Sequence, residues 1–232
     1  MIRPVIFALT LLLTGSAVTA VSEKPAARSF PVGAAERIYY SGAGTVHIRQ
    51  GEARTLKISA ASAILDEVVV ENYDDVLFIE VPDTVEEAVV VVVTLPSVRE
   101  IVTTGINSVV GSGLASKDLS LEAKGAGSFN FSALKAEELL VTGADGAAFT
   151  LSGSVNRQVL DLADHELYQA GRLQSRSVEA TVKGSGYILL AVDDLLDIKL
   201  AGAASVRYLG SPFVSQTVSG PGSIAPVTAN SI

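Results

Sequence analysis

The strongest constraint on this chain is an internal repeat, because a period near 20 residues commits a chain to stacked units. Short glycine-rich triplets recur along it: Gly42-Ala43-Gly44, Gly105-Ile106-Asn107, Gly125-Ala126-Gly127, Gly143-Ala144-Asp145, Asp164-His165-Glu166, Gly184-Ser185-Gly186, Gly202-Ala203-Ala204 and Gly220-Pro221-Gly222. From Gly105 onward their first residues are 20, 18, 21, 20, 18 and 18 apart. The flanks repeat as well. Four residues before the triplets stand Ile38, Ile101, Leu121, Leu139, Leu160, Ala180, Ile198 and Gln216; four after the first triplet residue stand Val46, Val109, Phe129, Ala147, Tyr168, Ile188, Val206 and Ile224. Each unit therefore reads as strand, tight turn, strand, with side chains alternating in period two.

One such unit cannot bury its apolar face alone, whereas stacked units can. The expected fold is all-β: a parallel β-helix, or solenoid, with coils of roughly 18–21 residues about 4.8 Å apart. The triplets supply the corners, where a positive φ favours glycine and is tolerated by Asn and Asp. Gly42, Gly44, Gly105, Gly125, Gly127, Gly143, Gly184, Gly186, Gly202, Gly220 and Gly222 are thus expected as structural turn glycines, with the left-handed requirement at the third triplet position. Mostly Ser or Thr follows that position, a plausible hydroxyl ladder beside the turn. An antiparallel sandwich also suits short strands; matching columns at a fixed period favour the solenoid.

The stretch between Gly42 and Gly105 spans about three periods and holds strand-like segments at Thr55–Ala60, Val68–Glu71, Val76–Val81 and Ala88–Leu95. Here some longer antiparallel strands are expected, with Asn72-Tyr73-Asp74-Asp75 as the turn of one pair. The five consecutive valines within Ala88–Leu95 suggest a strand covered on both faces.

Composition narrows the function. There is no cysteine, which excludes a disulfide scaffold, a thiolate metal site and a thiol nucleophile. The net charge of −8 argues against nucleic acid, whose phosphates need excess Lys and Arg. Residues 1–20 read as a signal peptide: Arg3, an apolar run from Val5 to Leu13 too short for a membrane span, and Val18-Thr19-Ala20 before the cut. The expected organisation is signal peptide 1–20, linker 21–29, solenoid domain 30–224 and tail 225–232. The mature chain carries no transmembrane segment, so an exported protein is expected: periplasmic, cell-surface or secreted.

Several ordered motifs then carry a family resemblance. Val93-Thr94-Leu95-Pro96-Ser97-Val98 leads to Thr104-Gly105-Ile106-Asn107; the Gly-Ala-Gly pattern stands at Ser41 to Thr45 and Lys124 to Ser128; Tyr208-Leu209-Gly210-Ser211-Pro212 precedes Ser219-Gly220-Pro221-Gly222-Ser223-Ile224. Together they resemble the putative auto-transporter adhesin, head GIN domain family, over roughly Phe30 to Ile224. That resemblance implies a right-handed parallel β-helix in exported bacterial proteins and supplies no catalytic motif. Asp164-His165-Glu166 departs from the pattern, two glycines being replaced by acids.

Candidate chemistry is sparse. Asp145, Asp164, His165 and Glu166 form the densest polar cluster, able in principle to bind a metal or move a proton. Neighbours on one turn diverge, however, and a metal needs three or four convergent ligands, so a solvated corner is the blander alternative. Asp193, Asp194 and Asp197 lack any calcium-loop spacing. The glycines match no phosphate loop, and two histidines leave little material for a Ser-His-Asp triad. Tyr39, Tyr187 and Arg207 are expected on outer faces, where aromatics and Arg mark contacts, although they are scattered and ordinary surface residues are the favoured alternative. No cofactor is expected. The leading expectation is a non-enzymatic binding, adhesion or structural module of the cell envelope, with a glycan or cell-surface protein as partner and a homo-oligomer as a further possibility. The alternative is a glycan-active enzyme, lyase or hydrolase, on a β-helix scaffold.

Overall fold

A computed structural model describes residues 25–82 and 88–227. The expected signal peptide, the start of the linker, Glu86-Glu87 and the last five residues lie outside the described residues. The described chain forms a stack of strands in one continuous hydrogen-bonded ladder. Two walls run along it. The first contains β2 (Arg37–Ser41), β6 (Val76–Glu80), β8 (Glu100–Thr104) and β10 (Ala115–Lys124), then the second halves of β11 (Ser128–Ala144), β12 (Ala148–Leu162), β13 (Leu167–Gly184) and β14 (Tyr187–Gly202), and ends on β16 (Phe213–Ser219). The second contains β3 (Gly44–Gln50), β7 (Val90–Leu95), β9 (Asn107–Ser112), the first halves of β11 to β14, then β15 (Ser205–Leu209) and β17 (Ser223–Pro226). All these pairings are parallel, so the stacked-coil reading holds and the sandwich does not.

The columns become stacks because parallel register puts like side chains over one another. Ile38, Ile101, Leu121, Val141, Leu160, Ala180 and Ile198 are in register and buried. On the facing wall Val46, Val109, Phe129, Phe149, Tyr168, Ile188 and Val206 do the same. Phe129 and Phe149 stack at 5.1 Å and 19°. Tyr168 follows at 6.0 Å from Phe149.

This register corrects the corner at Gly143. Ala123 pairs with Gly143 and Leu121 with Val141, so the triplet that stacks on Gly125-Ala126-Gly127 is Asp145-Gly146-Ala147, two residues later. Gly143 lies inside β11, in a core column. A Cβ there would stand 3.0 Å from the Phe149 ring and 3.1 Å from Glu166 Cγ, so it is small to make room. Phe149, not Ala147, fills the aromatic stack.

The left-handed requirement falls at the first triplet position rather than the third. Gly42, Gly105, Gly125, Gly184, Gly202 and Gly220 have φ from 89° to 129°, beyond the small left-handed region open to L-residues. Asp145 and Asp164 sit at 62° and 68°, inside that region, which is why two corners use Asp instead. At the third position only Gly44 has positive φ; Asn107, Ala147, Glu166 and Ala204 turn their side chains into the buried corner. Gly127, Gly186 and Gly222 are small for space: a Cβ on Gly222 would lie 2.7 Å from the Ala204 carbonyl oxygen, and one on Gly127 3.1 Å from Asn107 Oδ1.

The N-terminal third departs most from expectation. β6 and β7 form a coil that stacks outside the β2–β3 coil, while β8 and β9 stack on its other side. The chain thus doubles back, and the gap of 63 residues is not three coils in succession. β4 (Thr55–Ala60) runs antiparallel to β7, β1 (Ala26–Phe30) antiparallel to β4, and β5 (Val69–Tyr73) antiparallel to β6. These end strands are five or six residues long, whereas β11 to β14 run to 15–18, so the antiparallel strands are not the longer ones. Part of the supposed linker is therefore strand β1. A short helix, α1 (Ser62–Glu67), tucks Leu65 into the core between them. The valine run is covered on one face only: Val91 and Val93 are buried, Val90 and Val92 half-buried. Among the described residues no helix is long and apolar enough to cross a membrane.

Two glycine substitutions separate backbone strain from crowding. Gly202→Ala combines a φ of 129° with collision against the Gly184 carbonyl oxygen; we expect a loss of at least about 2 kcal/mol. Gly113→Ala, at φ 71° with nothing within 4 Å, should cost only about 1 kcal/mol. Urea midpoints at constant slope measure both.

Candidate functional site: an aromatic groove on the N-terminal coils

The doubling-back of the chain creates a concave outer face. Strand order there is β5–β6–β2–β8, and parallel or antiparallel register sets out three rows across it. Tyr73, Val76, Arg37 and Glu100 form one row. Glu71, Phe78, Tyr39 and Val102 form the next. Val69, Glu80, Ser41 and Thr104 form the third. In β6 the alternation Leu77-in, Phe78-out, Ile79-in, Glu80-out places a large aromatic where a polar residue is usual. The resulting groove has a volume of about 650 Å³.

Three aromatic rings line it. Tyr39 and Phe78 are 5.0 Å apart and tilted by 36°. Tyr73 stands at 76° to Phe78, 5.8 Å away. Phe78 and Tyr73 are 37% and 58% exposed, a large apolar surface left open to solvent. The polar end of the groove is a network on Glu100. Its carboxylate accepts from Arg37 Nε at 2.8 Å and from the Tyr39 hydroxyl at 3.1 Å. Arg37 also meets Asp75 at 3.6 Å and lies 6.0 Å from the Tyr39 ring centre. Hydrogen bonding to Glu100 raises the Arg37 pKa, so this guanidinium is a fixed charge. Glu71 acts similarly on Tyr73, raising its hydroxyl pKa by hydrogen bonding. A shallower depression of about 420 Å³ shares Arg37 and Asp75 with the groove and runs past Glu100 towards Asp118, Glu138 and Leu140.

Of the residues singled out as contact candidates, Tyr39 lies in this groove. Tyr187 and Arg207 are exposed on β14 and β15, towards the other end of the stack. Tyr73 was read only as part of the Asn72–Asp75 turn and Phe78 only as part of a strand; the signal available was the aromatic on the polar side of β6.

The structure brings Asp145, Asp164 and Glu166 together as a corner brace. The Asp145 N–H donates to Asp164 Oδ2 at 3.4 Å, and the Gly146 N–H to Glu166 Oε1 at 3.4 Å. The carboxylates of one corner thus cap amides of the corner below. His165 is exposed. His47 lies on β3, four strands along the wall from β13. Among the described residues there is no group of three or more His, Cys, Asp or Glu side chains arranged to hold a metal. Asp194 is engaged by Arg176 at 2.7 Å, and Asp193 accepts from Gln174.

The interior holds a second polar group of structural character. The buried Tyr168 hydroxyl donates to Gln158 Oε1 at 2.5 Å, Gln158 Nε2 donates to Ser175 Oγ, and Ser175 donates to the Leu173 carbonyl at 3.2 Å. Burial raises the Tyr168 pKa, so it stays a donor. Tyr168→Phe removes the partner of Gln158 Oε1 and should cost about 1–3 kcal/mol, read from the denaturant midpoint. Glu166 gives a pH signature. Burial raises its pKa above the ordinary 4.5, so the unfolded chain releases this proton more readily. Its contribution is present below the unfolded pKa and is lost as pH rises through the folded one. Glu166→Gln should therefore raise the melting temperature relative to the parent at pH 7 and lose that advantage at pH 3.

The architecture has close counterparts among solved structures. A putative adhesin from Bacteroides fragilis NCTC 9343 superposes with a TM-score of 0.80 at 24% identity, covering 89% of this chain and 98% of its own. A putative lipid binding protein from Parabacteroides distasonis ATCC 8503 gives 0.71 at 18% identity, and a putative adhesin from Parabacteroides merdae ATCC 43184 gives 0.66 at 15%, both with the same coverage. At these identities the likeness establishes the fold. No curated protein matches the chain. The family model of the putative auto-transporter adhesin, head GIN domain, matches residues 36–212, a span that includes the groove strands β2, β5, β6 and β8 and every corner but the last. With that match over most of its length, the chain belongs to the putative auto-transporter adhesin, head GIN domain family.

Proposed function

We propose that this protein is an exported, non-enzymatic binding or adhesion module of the cell envelope, and that the aromatic groove of the N-terminal coils is its recognition face. The mature chain begins after Ala20 and folds as one solenoid domain. The observation that carries the reading is the placement of Tyr39, Tyr73 and Phe78, from three strands, in one solvent-open groove beside the Arg37–Glu100 network. Exposed aromatics cost a soluble protein solubility, and they are enriched where a partner is held. Family membership and the adhesin and lipid-binding descriptions of the structural relatives support a binding role. A sheet supplies the preorganisation such a face needs, since β6, β2 and β8 are each paired on both edges and β5 is held by β6.

One observation favours a second reading, glycan hydrolysis: Glu71, Asp75 and Glu80 share the groove, and paired carboxylates are the machinery of that reaction. The two readings separate cleanly. Glycan and protein arrays probed with the purified exported chain should give ligands whose binding falls at least ten-fold in Tyr39→Ala/Phe78→Ala, the circular dichroism of the variant remaining that of the parent. Release of reducing sugar from an array ligand, lost in Glu71→Gln, would instead establish hydrolysis. Retained binding in the double variant would remove the groove from the function.

A further inference from the structure

The groove's charge does not match its apolar floor. Among the described residues that line it are four carboxylates, those of Glu71, Asp74, Asp75 and Glu80, against one guanidinium, that of Arg37. That guanidinium is already engaged by Glu100 and Asp75. Three ring faces and a surplus of negative charge in one concavity are complementary to a particular kind of molecule. An anion is repelled by the rim. A neutral apolar ligand would cover carboxylates without giving them a partner, which is costly. A bare metal ion wants several convergent oxygens, and among the described residues no such group is present. An organic cation with an alkyl shell satisfies both features. Its charge is drawn by the rim carboxylates and by the quadrupoles of the rings, and its alkyl groups are cheap to desolvate against aromatic surface.

We propose that the groove binds a small organic cation of the quaternary ammonium class, seated on Tyr39, Tyr73 and Phe78 with Glu71 and Glu80 as counter-charges. The proposal rests on the groove being the recognition face, and adds what kind of group that face takes. Its occupant is a free cation without a neighbouring phosphate, because Arg37, the one cationic side chain among the described residues that line the groove, is held by two carboxylates. The groove's size suits this: about 650 Å³ lies within the range of small-molecule sites.

Choline and its neutral isostere 3,3-dimethylbutan-1-ol provide the test, titrated into the exported chain and followed by calorimetry and by chemical shifts. The expected result is saturable choline binding in the millimolar range or tighter, with the isostere at least ten-fold weaker. Phe78→Leu should weaken choline three- to ten-fold. Glu80→Gln, an exposed change that leaves the apolar floor intact, should weaken it at least two-fold and reduce its salt dependence. Equal binding of the isostere, or no saturation by 100 mM choline in the folded parent, would overturn the proposal. Tighter binding to phosphatidylcholine vesicles than to choline would also overturn it, in favour of a membrane ligand. If array ligands remain sensitive to Tyr39→Ala/Phe78→Ala while choline fails to bind, the cation assignment falls alone. Array binding that ignores the double variant removes the recognition face itself.

Discussion

The parallel ladder between successive coils governs everything else in this molecule. A coil can donate its amides to the next only if both turn the corner at the same height, and at the corner the backbones come so close that a side chain has nowhere to go. The Ala203 amide reaches the Gly184 carbonyl at 2.7 Å and the Gly222 amide reaches that of Gly202 at 2.9 Å. A column of residues able to hold positive φ is the condition for that approach. Where Asp replaces Gly, at 145 and 164, φ drops to the value an L-residue can hold, and the carboxylate of Asp164 bonds to the Asp145 amide below. The acidic cluster that reads as possible chemistry is thus a second solution to the same geometric problem.

Asn107 shows how the corner is tied when space allows a side chain. Its Nδ2 donates to the carbonyls of Gly42 and Thr104, joining two coils, while Gly127 leaves the room it occupies. Glu166 fills the equivalent place one Asp corner on and bonds to Gly146. The third triplet position is therefore a socket facing inward: empty at Gly127, Gly186 and Gly222, where the next backbone or side chain presses on it, filled by a methyl group at Ala147 and Ala204, and by a polar side chain at Asn107 and Glu166, where a carbonyl or amide finds a partner.

The period, the columns and the solenoid were legible from local signals, because stacking copies the same demand onto every coil. Gly143 misled because glycine answers two demands with one residue, freedom in φ and absence of volume, and only register tells them apart. The left-handed position was misplaced for a related reason: small residues at the third position mimic a conformational preference. The doubling-back of Arg37–Leu95 left no repeat signal, since β6 and β2 pair by a contact between segments that do not resemble one another. The groove was hidden with it. Tyr39, Tyr73 and Phe78 are spread over 40 residues, and nothing short of the β5–β6 hairpin folding beside β2 brings them together.

The groove uses only β5, β6, β2 and β8, at the end of the stack that antiparallel strands close off. The coils from β10 to β17 add length without touching the aromatic floor. Adding or removing a middle rung would therefore change how far the groove stands from the opposite end of the stack and leave the residues that line it as they are. Length and groove chemistry are thus separable in such a molecule, like the shaft and the bit of a tool.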